Sequence, residues 1–158
     1  HKSSATQELE MVNRPLPRFS FPETYTNSAP DNVISDKTLP QKTIIINLFG
    51  SWCPTCLIEH HNLIELSKKY NIEIYGIALR DTQKGVLRYL NKHGNPYKHV
   101  ALDNSGLGEH IFQAHQTPQS YIVDKSGNIR YHHKGPINNS DIDRVILPAI
   151  KIIEGAPS

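Results

Sequence analysis

Cysteine is scarce in this chain of 158 residues: Cys53 and Cys56 are the only two. That excludes a framework of several disulfides and a four-cysteine zinc site, since either needs at least one further pair. Long apolar runs are also missing. None approaches the ~18 residues that cross a bilayer, and none has the form of a signal-peptide apolar core. Charge of one sign is not in excess: 17 Lys and Arg stand against 15 Asp and Glu. With no basic block interleaved with aromatics, nucleic acid and anionic membrane surfaces find no obvious patch, so partners are expected to be proteins. Internal repeats are absent, and the length suits one domain with a real core.

The two cysteines that are present stand two residues apart in Trp52-Cys53-Pro54-Thr55-Cys56, directly after the apolar run Thr43–Phe49 and at the start of a helix-like stretch. A strand running into a helix N-terminus offers the first cysteine unpaired backbone N–H groups and the positive end of the helix dipole, and both favour thiolate. Cys53 is therefore the candidate nucleophile and Cys56 the candidate resolving thiol, spaced to close a disulfide and release a reduced partner. The alternatives are two buried apolar thiols, a structural bridge or half of a metal site. A bridge across so short a loop removes little unfolded-state entropy. His60 and His61 would have to converge with both cysteines from different angles to complete a tetrahedral site, so neither metal nor other cofactor is expected.

Residues 1–42 are rich in Ser, Pro, Asn and Thr. The first dozen read as disordered, giving a flexible arm over 1–13, and Arg14–Phe21 reads as at most an edge strand or extended arm. From Thr43 strands and helices alternate, as in a sheet with crossover helices, and a single domain is expected over 14–155. Strands are expected at Ile44–Phe49, Ile72–Leu79 and Lys98–Leu102, with helices at Gln83–His93 and Leu107–Ala114. Ser120–Val123 and Asn128–His133 flank a hairpin turn at Asp124-Lys125-Ser126-Gly127. Ser140–Ile153 reads as a closing helix with a capping-box pair Ser140 and Asp143 and a kink at Pro148.

Projected at about 100° per residue, the helix after the dithiol carries Leu57, Leu63, Ile64, Leu66 and Tyr70 on one face, and Asn62, Glu65 and Lys69 on the other. Cys56, Glu59 and His60 fall on the apolar face. A carboxylate near a partly buried thiol disfavours its ionisation and exchanges protons with it, which makes Glu59 a candidate active-site acid. His60 reads as a side chain that snorkels outward, and His61, His132 and His133 as solvent-facing.

Thr117-Pro118-Gln119-Ser120 precedes a strand. Proline there is ordinarily a start-of-strand residue. Beside a redox dithiol it suggests a cis peptide that frees the Thr117 backbone to pair with an extended substrate.

With these residues in view, the chain resembles the thioredoxin superfamily, and within it the DsbE/CcmG-type cytochrome c maturation thioredoxins, relatives of ResA and TlpA. The resemblance runs from Arg14 to about Ile153. It rests on Pro15-Leu16-Pro17-Arg18-Phe19, on Asn47 through Cys56, on Glu59-His60, on Gly94-Asn95-Pro96-Tyr97, and on Ile122 through Tyr131. Plain thioredoxins have aspartate in place of Asn47 and lack the Gly94–Tyr97 insertion. The resemblance implies an α/β thioredoxin fold: a four- or five-stranded mixed sheet flanked by helices, with an N-terminal hairpin and a central insertion. It implies a periplasmic domain held to the inner membrane by an N-terminal anchor. Its role would be to keep the haem-binding CxxCH cysteines of apocytochrome c reduced, or to resolve a mixed disulfide with haem-ligation components. Electrons would come from a transmembrane thiol reductase of the DsbD/CcdA type. Carried over residue by residue, Cys53 is nucleophile, Cys56 resolver, Glu59 the acid, Pro118 the cis-proline, and Trp52 part of the contact surface around Pro54 and Thr55. One departure stands out. Where the family often has glutamate after the cis-proline, this chain has Gln119, a neutral amide that cannot raise a thiol pKa by repulsion, which leaves Glu59 that duty alone. A broader extracytoplasmic oxidoreductase, and a copper module using Cys53, Cys56 and a histidine, are the competing functions.

Overall fold

In the computed structural model, residues 9–24 and 32–155 are described. The core of the fold follows from strict alternation in the central strand, β4 (Ile44–Phe49). Ile44, Ile46 and Leu48 point to one face of the sheet and Ile45, Asn47 and Phe49 to the other, and every one of them is buried. The first set packs with the N-terminal hairpin and the Leu107–Ile111 helix, the second with the helices Pro54–Lys68 and Gln83–His93 and the C-terminal helices. Each fully buried Ile or Leu contributes roughly 1.5–3 kcal/mol of burial free energy, so both faces are strongly specified.

Around β4 the sheet is mixed. Its order is β1-β8-β7-β4-β5-β6, with β1 at Arg14–Pro15, β5 at Ile74–Leu79, β6 at His99–Asp103, β7 at Gln119–Val123 and β8 at Asn128–Lys134. The β4/β5 and β5/β6 pairs are parallel, the others antiparallel. Among the described residues this sheet has six strands where four or five were expected, because the short β1 adds an edge beside β8. The parallel strands are connected by α1 (Pro54–Lys68) and α2 (Gln83–His93), and α3 (Leu107–Ile111) follows β6. The hairpin turn at 124–127 forms as expected, with Asp124 Oδ1 accepting the Ser126 and Asn128 N–H groups.

The N-terminal segment is less loose than its composition suggests. Residues 1–8 of the expected flexible arm lie outside the described residues. Leu9 and Met11 pack against the core, however, and the Val12 N–H donates to the Arg130 carbonyl at 2.8 Å. A second, two-stranded sheet joins β2 (Ser20–Pro22) to β3 (Val33–Ser35). Directly after β2, Glu23 bridges Ala101 of β6, and the Thr24 N–H reaches the Val100 carbonyl.

The closing helix departs from its expected form. Its cap lies two residues earlier than the Ser140/Asp143 pair: the Asn138 N–H donates to Asp141 Oδ2 at 2.8 Å at the start of α4 (Asn139–Asp141). A π-helical turn, Ile142–Ile146, then leads into α5 (Leu147–Gly155). Pro148 has no N–H, and its ring crowds the carbonyl four residues back, so the turn before it opens to the i→i+5 pairing of a π turn.

Candidate active site

Chain direction at the top of β4 sets the site. After Phe49, the turn 50–52 delivers Cys53 to the N-cap of α1 with Pro54 at the first helical position. Proline fits there because its missing N–H would have had no partner. Cys53 Sγ occupies the place usually taken by a capping oxygen and accepts the Cys56 N–H at 3.2 Å. Cys53 and Cys56 are disulfide-bonded.

Contacts from Asp81, Leu79 and Arg80 fix the turn, and none was anticipated from sequence. Asp81, just past β5, accepts the Ser51 N–H at 2.7 Å, the Ser51 hydroxyl at 2.8 Å and the Thr82 N–H at 2.8 Å. The Trp52 indole N–H donates to the Leu79 carbonyl at 2.8 Å, while the ring remains 46% exposed. Arg80 lies over that ring at 5.0 Å and pairs with Glu109 at 3.3 Å. A Cβ at Gly50 would overlap the indole.

Both sulfurs are deep, with Cys53 at 5% and Cys56 at 2% exposure. They differ in outlook. An open cavity of about 730 Å³ is lined by Cys53, Trp52, Pro54 and Thr55 on one side and by Gln116, Thr117, Pro118 and Gln119 on the other; Cys56 is not in its wall. The Thr117–Pro118 peptide is cis. Thr117 Oγ1 donates to Cys53 Sγ at 3.1 Å, and the Thr117 carbonyl lies 3.8 Å from that sulfur.

Behind the dithiol, Glu59 is fully buried. Its Oε1 accepts the Ile137 N–H at 2.9 Å and its Oε2 the Asn47 amide at 3.0 Å. Burial pushes its carboxyl up to about 7, against the lowering effect of those two donors. Asn47 in turn accepts the Tyr97 hydroxyl at 2.8 Å and donates toward Ser120 Oγ and the Gln119 carbonyl. Tyr97, the last residue of the Gly94–Tyr97 insertion, thereby joins β4, α1 and β7 in one polar chain.

Several neighbours on α1 sit differently from their helical projection. Leu57 is exposed, and Asn62 is buried because it donates to the Ile137 carbonyl at 2.8 Å while Glu59 takes the N–H of the same residue. His60 does not snorkel. It is buried, its Nε2–H donates to the Gly94 carbonyl at 2.8 Å, and burial lowers its pKa. His61 is exposed and bonds to Asn139. His132 and His133, expected in solvent, are half-buried. His132 stacks on Tyr121 at 4.3 Å and reaches Gln119 at 2.6 Å, and His133 contacts Pro136 and Asp141. No group of three or more His, Cys, Asp or Glu residues arranged to hold a metal occurs among the described residues.

Residues 11–146 match the model of the Redoxin family. The chain belongs to that family. A probable thiol:disulfide interchange protein DsbE-2 of Pasteurella multocida is 30% identical over 91% of this chain and 74% of its own length. The thiol:disulfide interchange protein CycY of Rhizobium leguminosarum is 32% identical over 78% and 67% respectively. A putative DsbE from Chlorobium tepidum, of known structure, superposes with a TM-score of 0.71 over 90% of this chain and 99% of its own; at 18% identity it supports the thioredoxin-like fold alone. Within the Redoxin family the chain is a DsbE-type thiol:disulfide oxidoreductase with a redox dithiol at Cys53 and Cys56.

Proposed function

We propose that the protein reduces the haem-binding CxxCH cysteines of apocytochrome c, or resolves their mixed disulfides with haem-ligation components. The reading is supported most by the asymmetry of the dithiol: Cys53 borders the cavity and Cys56 does not. The Cys53 thiolate attacks one substrate sulfur, and the other substrate sulfur leaves as a thiolate. Cys56 then attacks Cys53 Sγ, releasing the second substrate thiolate and closing the Cys53–Cys56 disulfide. Two electrons pass to the substrate, and a transmembrane thiol reductase of the DsbD/CcdA type returns them. Helix N-terminal N–H groups and the Thr117 hydroxyl stabilise the Cys53 thiolate. Glu59, with a carboxyl near neutrality, holds or releases the proton of the resolving thiol. Thr117 and Pro118 present backbone to an extended substrate segment, with Trp52, Pro54 and Thr55 opposite.

Substrate identity rests on the sequence pattern: WCPTC followed by Glu59, together with Gly94-Asn95-Pro96-Tyr97. The same pattern implies a periplasmic setting with an inner-membrane anchor. No helix among the described residues is long and apolar enough to cross a membrane. Cys56→Ala tests the assignment, since it attacks and cannot resolve. Trapped cytochrome c or haem-ligation components are the expected outcome. Capture of many unrelated exported proteins without either would replace the dedicated role with a broad one.

A further inference from the structure

The residue after the cis-proline has two neighbours of opposite hydrogen-bonding character. Gln119 Nε2 donates to the Gln116 carbonyl at 2.8 Å, and its Oε1 faces His132 Nε2 at 2.6 Å. A backbone carbonyl only accepts, so the amide orientation is settled by Gln116, and His132 must then carry its proton on Nε2 and donate. The other ring nitrogen, Nδ1, faces Arg14 Nη2 of β1 at 3.5 Å, a cation that also opposes a second proton on the ring. Tyr121, cross-strand to His132, holds the ring flat by stacking.

We infer that His132 is a positioning residue for the 116–119 loop, and that Gln119 suits this position because its amide offers one acceptor to His132 and one donor to Gln116 at every pH at which the protein is folded. An ionised carboxylate at 119 has no donor and would set an oxygen against the Gln116 carbonyl. The departure from glutamate at this position is thus matched by its surroundings. The same loop carries Thr117, whose hydroxyl meets Cys53 Sγ, and Pro118, whose carbonyl accepts the Gly135 N–H at 3.0 Å and reports on how firmly the loop is held. The effect on substrate rests on the proposed docking along Thr117 and Pro118.

Two readouts on the full chain test this. His132→Phe keeps an aromatic ring over Tyr121 and removes the donor. Hydrogen exchange at the Gly135 amide should quicken about three- to tenfold, the factor set by one net hydrogen bond. KM for a disulfide CxxCH peptide should rise by about the same factor, with kcat and the reduction of a small disulfide reagent unchanged. His132→Gln, which supplies an N–H in place of the imidazole, should restore both readouts in part. Gln119→Glu should quicken Gly135 exchange at pH 8 relative to the parent and recover toward acid pH, where a protonated carboxyl again offers one donor and one acceptor. The titratable and charged groups facing that position are His132 directly, Arg14, His133 and Lys134 beside it, and Glu59 through Asn47. Unchanged Gly135 exchange in His132→Phe, or Gln119→Glu as well protected as the parent at pH 8, would overturn the inference. Absence of peptide reduction by the parent would instead remove the proposed substrate, and the exchange measurement would still decide the role of His132.

Discussion

Asn47 and Glu59 meet at 3.0 Å in the interior, amide to carboxylate, with the Asn47 amide turned that way because the Tyr97 hydroxyl claims its oxygen. Two donors therefore face a carboxyl whose burial favours protonation, and burial prevails: the pKa is about 7.

This fixes a sign for stability against pH. The folded state holds the Glu59 proton more tightly than the unfolded chain, so its contribution is fully present below the ordinary value of 4.5 and is lost as pH rises through about 7. Glu59→Gln should remove roughly 2–4 kcal/mol of pH-dependent difference across that window, read as parent minus variant in denaturant titrations at pH 4.5 and pH 8. The subtraction is needed because His132, with a pKa lowered to about 4 by burial and then by Arg14, contributes in the opposite direction below pH 6.5. Thiol titration in the variant should also move down, since a negative charge on the apolar face has gone. A flat difference and an unmoved titration would leave Glu59 without influence on either.

Alkylation of the reduced protein should reach Cys53 before Cys56, because only Cys53 borders the cavity. Its pKa should lie below the ~8.5 of a free thiol. Mass mapping after brief labelling checks the order, and Cys56 modified first would reverse the assigned roles.

Thr117→Val keeps the shape of the side chain and removes the hydroxyl that donates to Cys53 Sγ at 3.1 Å. A hydrogen bond to the charged form is lost, so the Cys53 thiol pKa should rise by about 0.5–1 unit. Following thiolate absorbance against pH in both proteins measures it.

Gly76→Ala probes the other end of the polar chain. A Cβ there would come within 2.9 Å of the Phe49 and Tyr97 rings, which stack on each other at 4.8 Å over β5. Moving the Tyr97 ring to make room would carry along the hydroxyl that donates to Asn47. The variant should lose about 1–3 kcal/mol, and its Glu59 titration should shift along with the melting curve. Loss of stability with an unmoved Glu59 would separate the aromatic stack from the polar chain.

The strand–CxxC–helix arrangement was legible because its signals are local: the apolar run Thr43–Phe49, then two cysteines two residues apart, then a helix-like stretch. Glu59 could be singled out for the same reason, as a charge where an apolar residue was due. The inward turn of Asn62 was not legible, since it depends on Ile137, 75 positions away. The embedding of His132 depends on Tyr121 and Gln119 across a strand pair, and neighbouring histidines read alone look like surface. Asp81 was not legible either: it stands two residues past the buried strand β5 and just before the capping Thr82, a single carboxylate with no periodicity to mark it.

The first described segment touches both margins of the main sheet: β1 lies along β8 at one side, and Glu23 and Thr24 bond to β6 at the other. It works as a strap over two otherwise open hydrogen-bonding rims. Cutting back to the start of β4 would unmask both rims together, giving a particle with two sticky sides that can add copies end on end. Trimming this stretch would therefore keep the dithiol in the chain while baring both rims and taking Phe19, Phe21 and Ile34 out of the core beneath them.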